Sequence, residues 1–160
     1  MQTIPSEALA IDRKARMKIP SADLKIRPAE VRVCDFDDVV ISMDAQQAML
    51  EASRCIHCPD PAPCVQACPV HNDIPSAMWL IEQGQFLEAA KLYRQTSSMP
   101  EICGRVCPHE QLCQGSGAET WAGRRRGAGI GRVPAAQRAA GSRAAGRGEL
   151  AAARQPARRV

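Results

Sequence analysis

Seven of the eight cysteines lie in two groups that share one spacing. The first cysteine group is Cys55, Cys58, Cys64 and Cys68, and the second cysteine group is Cys103, Cys107 and Cys113. The unit Cys-x3-Cys-Pro occurs in both groups, 39 residues apart. Dense thiolates with a proline directly after a ligand are typical of chains that hold cubane iron–sulfur clusters. Because such clusters carry single electrons, the pattern predicts electron transfer.

The spacing also predicts how two [4Fe–4S] clusters would divide these ligands. Cys55, Cys58 and Cys64 supply three corners of a first cube. Cys68, which precedes a proline, crosses to a second cube, whose other ligands come from the second cysteine group. Two cubes need eight ligands and the two groups offer seven cysteines. We therefore expect the first cluster to be incomplete or labile.

Other uses of the cysteines remain open at this point. Structural zinc also binds Cys-x2-Cys, but zinc modules generally pair two such knuckles and this sequence has one. Disulfides would need an exported protein. Three histidines lie close to the cysteines and could replace a missing thiolate; they are His57, His71 and His109. Cys34 stands outside both groups and is interpreted as a lone thiol.

Composition limits the kind of core that the chain can build. Only five aromatic residues are present in 160, so we expect a small apolar core. Bound metal clusters would then add to the stability of the fold. We find no export signal and no apolar run near the ~20 residues that span a bilayer. We therefore expect a cytoplasmic protein, where thiols stay reduced. We expect no membrane partner.

Periodicity and capping signals predict a mostly α-helical fold. Asp44 and Gln47 form a capping-box pattern before a helix over 45–54. Asp73 precedes a second helix over 74–83, and Gly84 suits its left-handed end. A third helix over 85–95 has an apolar stripe that we assign to the core. A short helical turn is expected within 99–107.

The chain is expected to divide into three parts. Residues 1–42 are an irregular N-terminal arm, with 30–41 extended or loop, and 43–116 form the helical iron–sulfur domain. Residues 117–160 form a disordered tail, because ten arginines against two glutamates without apolar periodicity cannot build a core. A glycine pattern at 127–131 is too incomplete for a dinucleotide loop. The arginines at 124–126 lack any accompanying module, so we do not predict nucleic acid as a partner.

Four segments together closely resemble one known domain. They are residues 51–58, 64–75, 100–108 and 112–116. Over roughly residues 30–116 the chain is similar to the N-terminal iron–sulfur domain of the glutamate synthase small subunit. The same domain opens dihydropyrimidine dehydrogenase and related NAD(P)H-dependent flavin oxidoreductases.

The resemblance implies a small helical domain, of the α-helical ferredoxin type, with two [4Fe–4S] clusters and crossed ligation. Electrons from NADPH would reach FAD in a downstream domain, pass through the clusters and arrive at a flavin on a partner such as the glutamate synthase large subunit. In relatives one cluster uses a polar ligand that is not cysteine. Cys103 is then the ligand that the resemblance supports least.

Two departures from the family pattern fall at the end of the second cysteine group. The family has Cys-x3-Cys there, but Gly117 stands four places after Cys113. The expected continuation into a helix and a Rossmann domain is also absent. Arginine, alanine and glycine without lysine are what a GC-rich gene yields out of frame. We therefore predict that the tail is a frameshift product.

On this interpretation the chain is a truncated domain that lacks FAD and NADPH sites and has no catalytic residue of its own. Two alternatives remain at the level of sequence. The first is a standalone iron–sulfur electron carrier, and the second is a zinc-stabilised interaction module.

Overall fold

The computed structural model describes residues 10–23 and 25–117. Helices dominate this part of the chain, and its only β structure is an isolated antiparallel bridge between Ile26 and Val40. The prediction of a mostly α-helical domain is confirmed. The helices are α1 (Arg13–Arg16), α2 (Ala29–Arg32), α3 (Ala45–Ala52), α4 (Pro63–Gln66), α5 (Ile74–Glu82), α6 (Phe86–Arg94) and α7 (Pro100–Val106).

Helix α3 begins where the sequence predicts. The Asp44 side chain accepts a hydrogen bond from the Gln47 backbone N–H at 2.8 Å, and the Gln47 side chain accepts one from the Asp44 N–H at 3.3 Å. Two orphan donors of the first turn are thereby satisfied, as a capping box requires. The helix ends just before Cys55 and so delivers the chain to the first cysteine group.

Helices α5 and α6 form a hairpin around Gly84. Asp73 caps α5 through the Ser76 N–H at 3.2 Å, and Pro75 occupies the first turn, where its missing N–H costs nothing. Gly84 has φ +72°, a left-handed conformation that a residue without Cβ adopts readily. The tight turn lets α6 fold back along α5.

The core lies among α3, α5 and α6. Its apolar members are mostly small or aliphatic, such as the fully buried Ile81, together with the aromatic rings of Phe86 and Tyr93 from α6. Cys113 belongs to the same buried cluster, and Cys55, Cys64 and Cys68 pack against it. The predicted core stripe of α6 is confirmed, and both cysteine groups border the core that it helps to form.

The N-terminal arm contains more regular structure than the sequence suggests. Asp12 caps α1 by accepting from the backbone N–H groups of Lys14 and Ala15. The segment 30–41, predicted as extended or loop, begins inside α2, which starts directly after Pro28. A proline fixes φ at the helix start and needs no hydrogen bond there, which explains the short helix.

Two further observations complete the fold. Within the described residues no helix is long and apolar enough to cross a membrane. The tail predicted over 117–160 lies outside the described residues except for Gly117, and so do the glycine pattern and the arginine cluster.

Candidate metal centre

The first cysteine group lies on the connection from α3 through α4. Cys55 follows the last turn of α3, and Cys58 lies on the proline-containing loop that comes next. Cys64 is the second residue of α4, and Cys68 follows that helix. All four are half-buried and free of disulfides. A loop and one short helical turn therefore carry four thiols, three of which pack against the core.

The second cysteine group is carried by α7 and the turn that follows it. Cys103 lies within α7, and Cys107 is its C-terminal capping residue. Cys113 sits in the compact turn over 108–117 and is 7% exposed, the most buried of the seven. Its thiol is therefore largely shielded from water.

Electrostatic neighbours show that the two stretches converge. Burial, and then the charges of Cys55, Cys58 and Cys113, raise the pKa of the Cys64 thiol to about 12. Burial, and then Cys68 and Cys107, raise the pKa of Cys113 to about 11. These thiols stay protonated at neutral pH, chiefly because burial disfavours the charged thiolate and also because neighbouring thiolates would repel one another. Binding to a metal group would displace the protons and compensate the repulsion.

The cysteines that raise one another's pKa can be compared with the predicted division of ligands between two clusters. They agree with it, except that Cys113 also acts on Cys64. Cys64 has Cys55 and Cys58 as neighbours. Burial, Cys103 and Cys68 raise the pKa of the Cys107 thiol, which places Cys68 beside the second group. Cys113 acts on Cys64 as well as on its own group, and spacing did not indicate this. The assignment of each cysteine to a cluster stays a prediction.

Cys34, the eighth cysteine, lies apart from both groups. It is exposed, and its thiol donates to the Glu30 carbonyl oxygen at 3.3 Å. The structure thus separates one exposed thiol from seven that are half-buried or buried.

The loop between Cys55 and Cys58 is fixed by a buried imidazole. His57 is 1% exposed, adopts φ +45° and packs edge-on against Trp79, with ring centroids 5.6 Å apart. Its Nδ1 lies 4.0 Å from Cys55 Sγ. Burial and the nearby Arg16 lower the pKa of His57, so the ring stays neutral.

Two arginines of α1 hold the same loop from the other side. Arg16 makes a two-pronged ion pair with Glu82, both bonds at 2.8 Å, and also donates to the carbonyl oxygens of Ser53 and Cys55. Arg13 donates to the carbonyl oxygens of the next two loop residues, 56 and 57. The sequence analysis missed both arginines, because contacts across about 40 residues leave no local pattern.

The donor set suits an iron–sulfur cluster. Seven thiols of the two groups are half-buried or buried, four of them in or against one apolar core, and thiolates are the ligands that such clusters use. Within residues 10–23 and 25–117, no three His, Cys, Asp or Glu side chains gather closely enough to hold a single metal ion. When bound, a [4Fe–4S] cluster supplies one-electron transfer.

A small helical domain with two converging thiol groups is typical of iron–sulfur domains. Comparison with known families makes this specific: the family described as dihydropyrimidine dehydrogenase domain II, 4Fe–4S cluster, matches residues 32–133. The chain belongs to this family, and its cofactors are [4Fe–4S] clusters. The resemblance drawn from the cysteine segments is confirmed. The matched range extends beyond residue 116, where we predict that the domain ends.

Several relatives share this part of the chain. The putative oxidoreductase UacF of Escherichia coli is 40% identical over 116 residues, which are 70% of this chain and 17% of the relative. The glutamate synthase [NADPH] small chain of Halomonas elongata is 44% identical over 93 residues, 58% of this chain and 20% of the relative. The NAD-dependent dihydropyrimidine dehydrogenase subunit PreT of E. coli is 40% identical over 79 residues, 49% of this chain and 19% of the relative. The chain thus spans a fifth or less of the length of these relatives.

Proposed function

We propose that this chain is the electron-relay domain of an oxidoreductase of the glutamate synthase small-subunit type. The observation that carries the proposal is the presence of seven half-buried or buried thiols in two groups, with members of both groups meeting at one helical core. Membership of a 4Fe–4S family supports it. The domain relays electrons and has no catalytic residue of its own.

The residues of this chain perform three tasks in that relay. The thiols bind the clusters, and the packed face of α5 and α6 excludes water from one side of them. Arg16 and His57 fix the backbone of the ligand loop, so that sulfur positions change little between oxidation states. When the structure changes little on electron uptake, the reorganisation energy is small. A small reorganisation energy is needed for rapid electron transfer.

Source and acceptor of the electrons belong to the proposal as well. We place the FAD and NADPH sites in the part of the relatives that this chain does not span. The acceptor is a flavin on a partner, such as the large subunit of glutamate synthase. The names of the glutamate synthase relatives include NADPH, which supports this donor.

Anaerobic reconstitution of the full chain with iron and sulfide tests the proposal. We expect a brown protein that contains iron and acid-labile sulfide, and visible absorption that bleaches with dithionite. A colourless protein that takes up zinc stoichiometrically, with neither iron nor sulfide, would contradict the proposal and favour a zinc-stabilised module.

Two cysteine variants show whether the colour comes from the predicted ligands. We expect Cys64→Ser to lose about half of the iron, because Cys64 borders the core and is surrounded by three other thiols. Cys34→Ser is the matched control, since Cys34 is exposed and lies outside both groups. Equal iron content in the two variants would exclude Cys64 as a ligand.

A further inference from the structure

Tyr93 of α6 presents a buried hydroxyl that no described residue satisfies. The side chain is 1% exposed, and its oxygen has no hydrogen-bond partner within the described part of the chain. Buried polar groups in folded proteins are almost always hydrogen-bonded, and an orphan costs about 1–3 kcal/mol. A phenylalanine would fill the same space without that cost. The hydroxyl therefore points to an acceptor that the polypeptide does not supply.

The surroundings of Tyr93 identify the acceptor by its chemistry. Cys113 belongs to the same buried cluster as Tyr93, and three cysteines of the first group pack against that cluster. Burial, followed by the charges of Cys113, Cys64, Cys55 and Cys68, raises the pKa of Tyr93 well above its usual value. Any phenol is protonated at neutral pH, so its O–H is available as a hydrogen-bond donor. Thiols of both groups lie in or against the cluster that contains it.

We propose that the Tyr93 hydroxyl donates a hydrogen bond to a cluster sulfur beside Cys113 and thereby raises the reduction potential of that cluster. The proposal relies on the [4Fe–4S] cofactor of the proposed function, but not on its electron donor or acceptor. Cys113 is the most buried thiol and the first of the four that act on Tyr93. Tyr93 is thus a positioning and tuning residue, not a cluster ligand.

The direction of the effect follows from charge. Reduction adds one electron to a cluster and its thiolates, and much of the added charge lies on sulfur. A hydrogen bond to sulfur is stronger in this more negative state, so it favours the reduced form. Burial strengthens the preference, because few water molecules compete for the acceptor.

Redox titration of Tyr93→Phe in the reconstituted full chain tests the proposal. We expect the equilibrium constant for reduction of one cluster to fall about tenfold, which corresponds to a potential lower by about 59 mV for one electron. Iron content and helix content should match those of the unmodified chain. Ser76→Ala is the control, since it removes another buried hydroxyl without a partner, and we expect unchanged potentials.

A second measurement avoids any change of shape. Tyr93 is the only tyrosine of the chain, so growth on 3-fluorotyrosine labels this position alone. The fluorinated phenol is more acidic and donates a stronger hydrogen bond, so the potential should rise, opposite to the effect of Tyr93→Phe. Unchanged potentials in both proteins, with full iron content, would overturn the tyrosine proposal while leaving the electron-relay function intact. An unmodified chain without iron would instead overturn the function.

Discussion

His57, next to Cys58, and His71, three residues after Cys68, hold left-handed backbone conformations with φ of +45° and +49°. Residues other than glycine adopt this region at a cost of about 1–3 kcal/mol, and such residues are common at functional sites. The two rings have separate partners: His57 packs on Trp79, and His71 Nδ1 lies 3.2 Å from the Val65 carbonyl oxygen. Each ring thus stabilises a sharp turn of the chain next to a thiol.

Gly115 shapes the turn that carries Cys113. A Cβ at this position would lie 2.2 Å from the Glu110 carbonyl oxygen, which is shorter than any normal contact. We expect Gly115→Ala to distort the turn over 108–117, to destabilise the protein by roughly 1–3 kcal/mol, and to lower its iron content. Chemical denaturation and iron analysis of the reconstituted protein measure both effects.

Gly84→Ala provides the matched comparison for Gly115. Its Cβ would meet nothing closer than Met49 Sδ at 3.8 Å, but the left-handed φ makes alanine unfavourable by roughly 1–2 kcal/mol. Gly84 lies in the α5–α6 turn, apart from the cysteines in sequence. We expect a similar loss of stability without loss of iron. Equal iron loss in the two variants would show that Gly115 acts only through global stability.

At the scale of elements, local signals predicted the three core helices well. The predicted boundaries of α3, α5 and α6 lie within two residues of those observed. The signals that gave them were the N-terminal caps Asp44 and Asp73 and the turn glycine Gly84. The arm was harder to predict, because α1 buries no residue and is held by distant groups. Its partners are carbonyl oxygens of the ligand loop and Glu82, which no periodicity in residues 13–16 indicates.

Arg16 makes α1 a support for the first cysteine group. The guanidinium satisfies the carbonyl oxygens of Ser53 and Cys55 and pairs with Glu82, and both charged side chains are less than one-fifth exposed. We expect Arg16→Ala to destabilise the protein by roughly 2 kcal/mol, because it removes charge-assisted hydrogen bonds from a partly buried site. Iron release to a chelator should also accelerate, since the loop loses its support. Stopped-flow absorbance measures the rate.

Two further variants separate geometry from charge at this position. Arg16→Lys keeps the charge but loses the planar fork, so it should restore only part of the stability. Arg27→Ala removes an arm arginine that pairs with Asp35, away from the ligand loop, and should leave iron release unchanged. Equally fast iron release from Arg27→Ala and Arg16→Ala would show that any loss of arm structure weakens the site.

At the scale of the whole molecule, the sequence indicated the grouped cysteines better than their surroundings. Type and spacing were enough to single out the seven cysteines that are half-buried or buried, and their role as ligands stays a prediction. The position of Cys113 next to both groups and the orphan hydroxyl of Tyr93 depend on how α6 packs against the turn over 108–117. Such contacts join residues far apart in the sequence and form only when the complete domain folds. Local sequence patterns therefore do not predict them.

The distribution of buried residues predicts how the domain responds to removal of its clusters. Helices α3, α5 and α6 bury apolar residues against one another, whereas α4 buries none and α7 buries only Pro100 and Gly104. We expect iron chelation to leave amide protection in α5 and α6 largely intact, because apolar contacts hold them. Protection should fall in α4 and in the turn over 108–117, which depend on ligand bonds. Hydrogen exchange with mass spectrometry compares the two states, with α3 as an internal reference. Uniform loss of protection in all helices would show instead that the clusters hold the entire fold together.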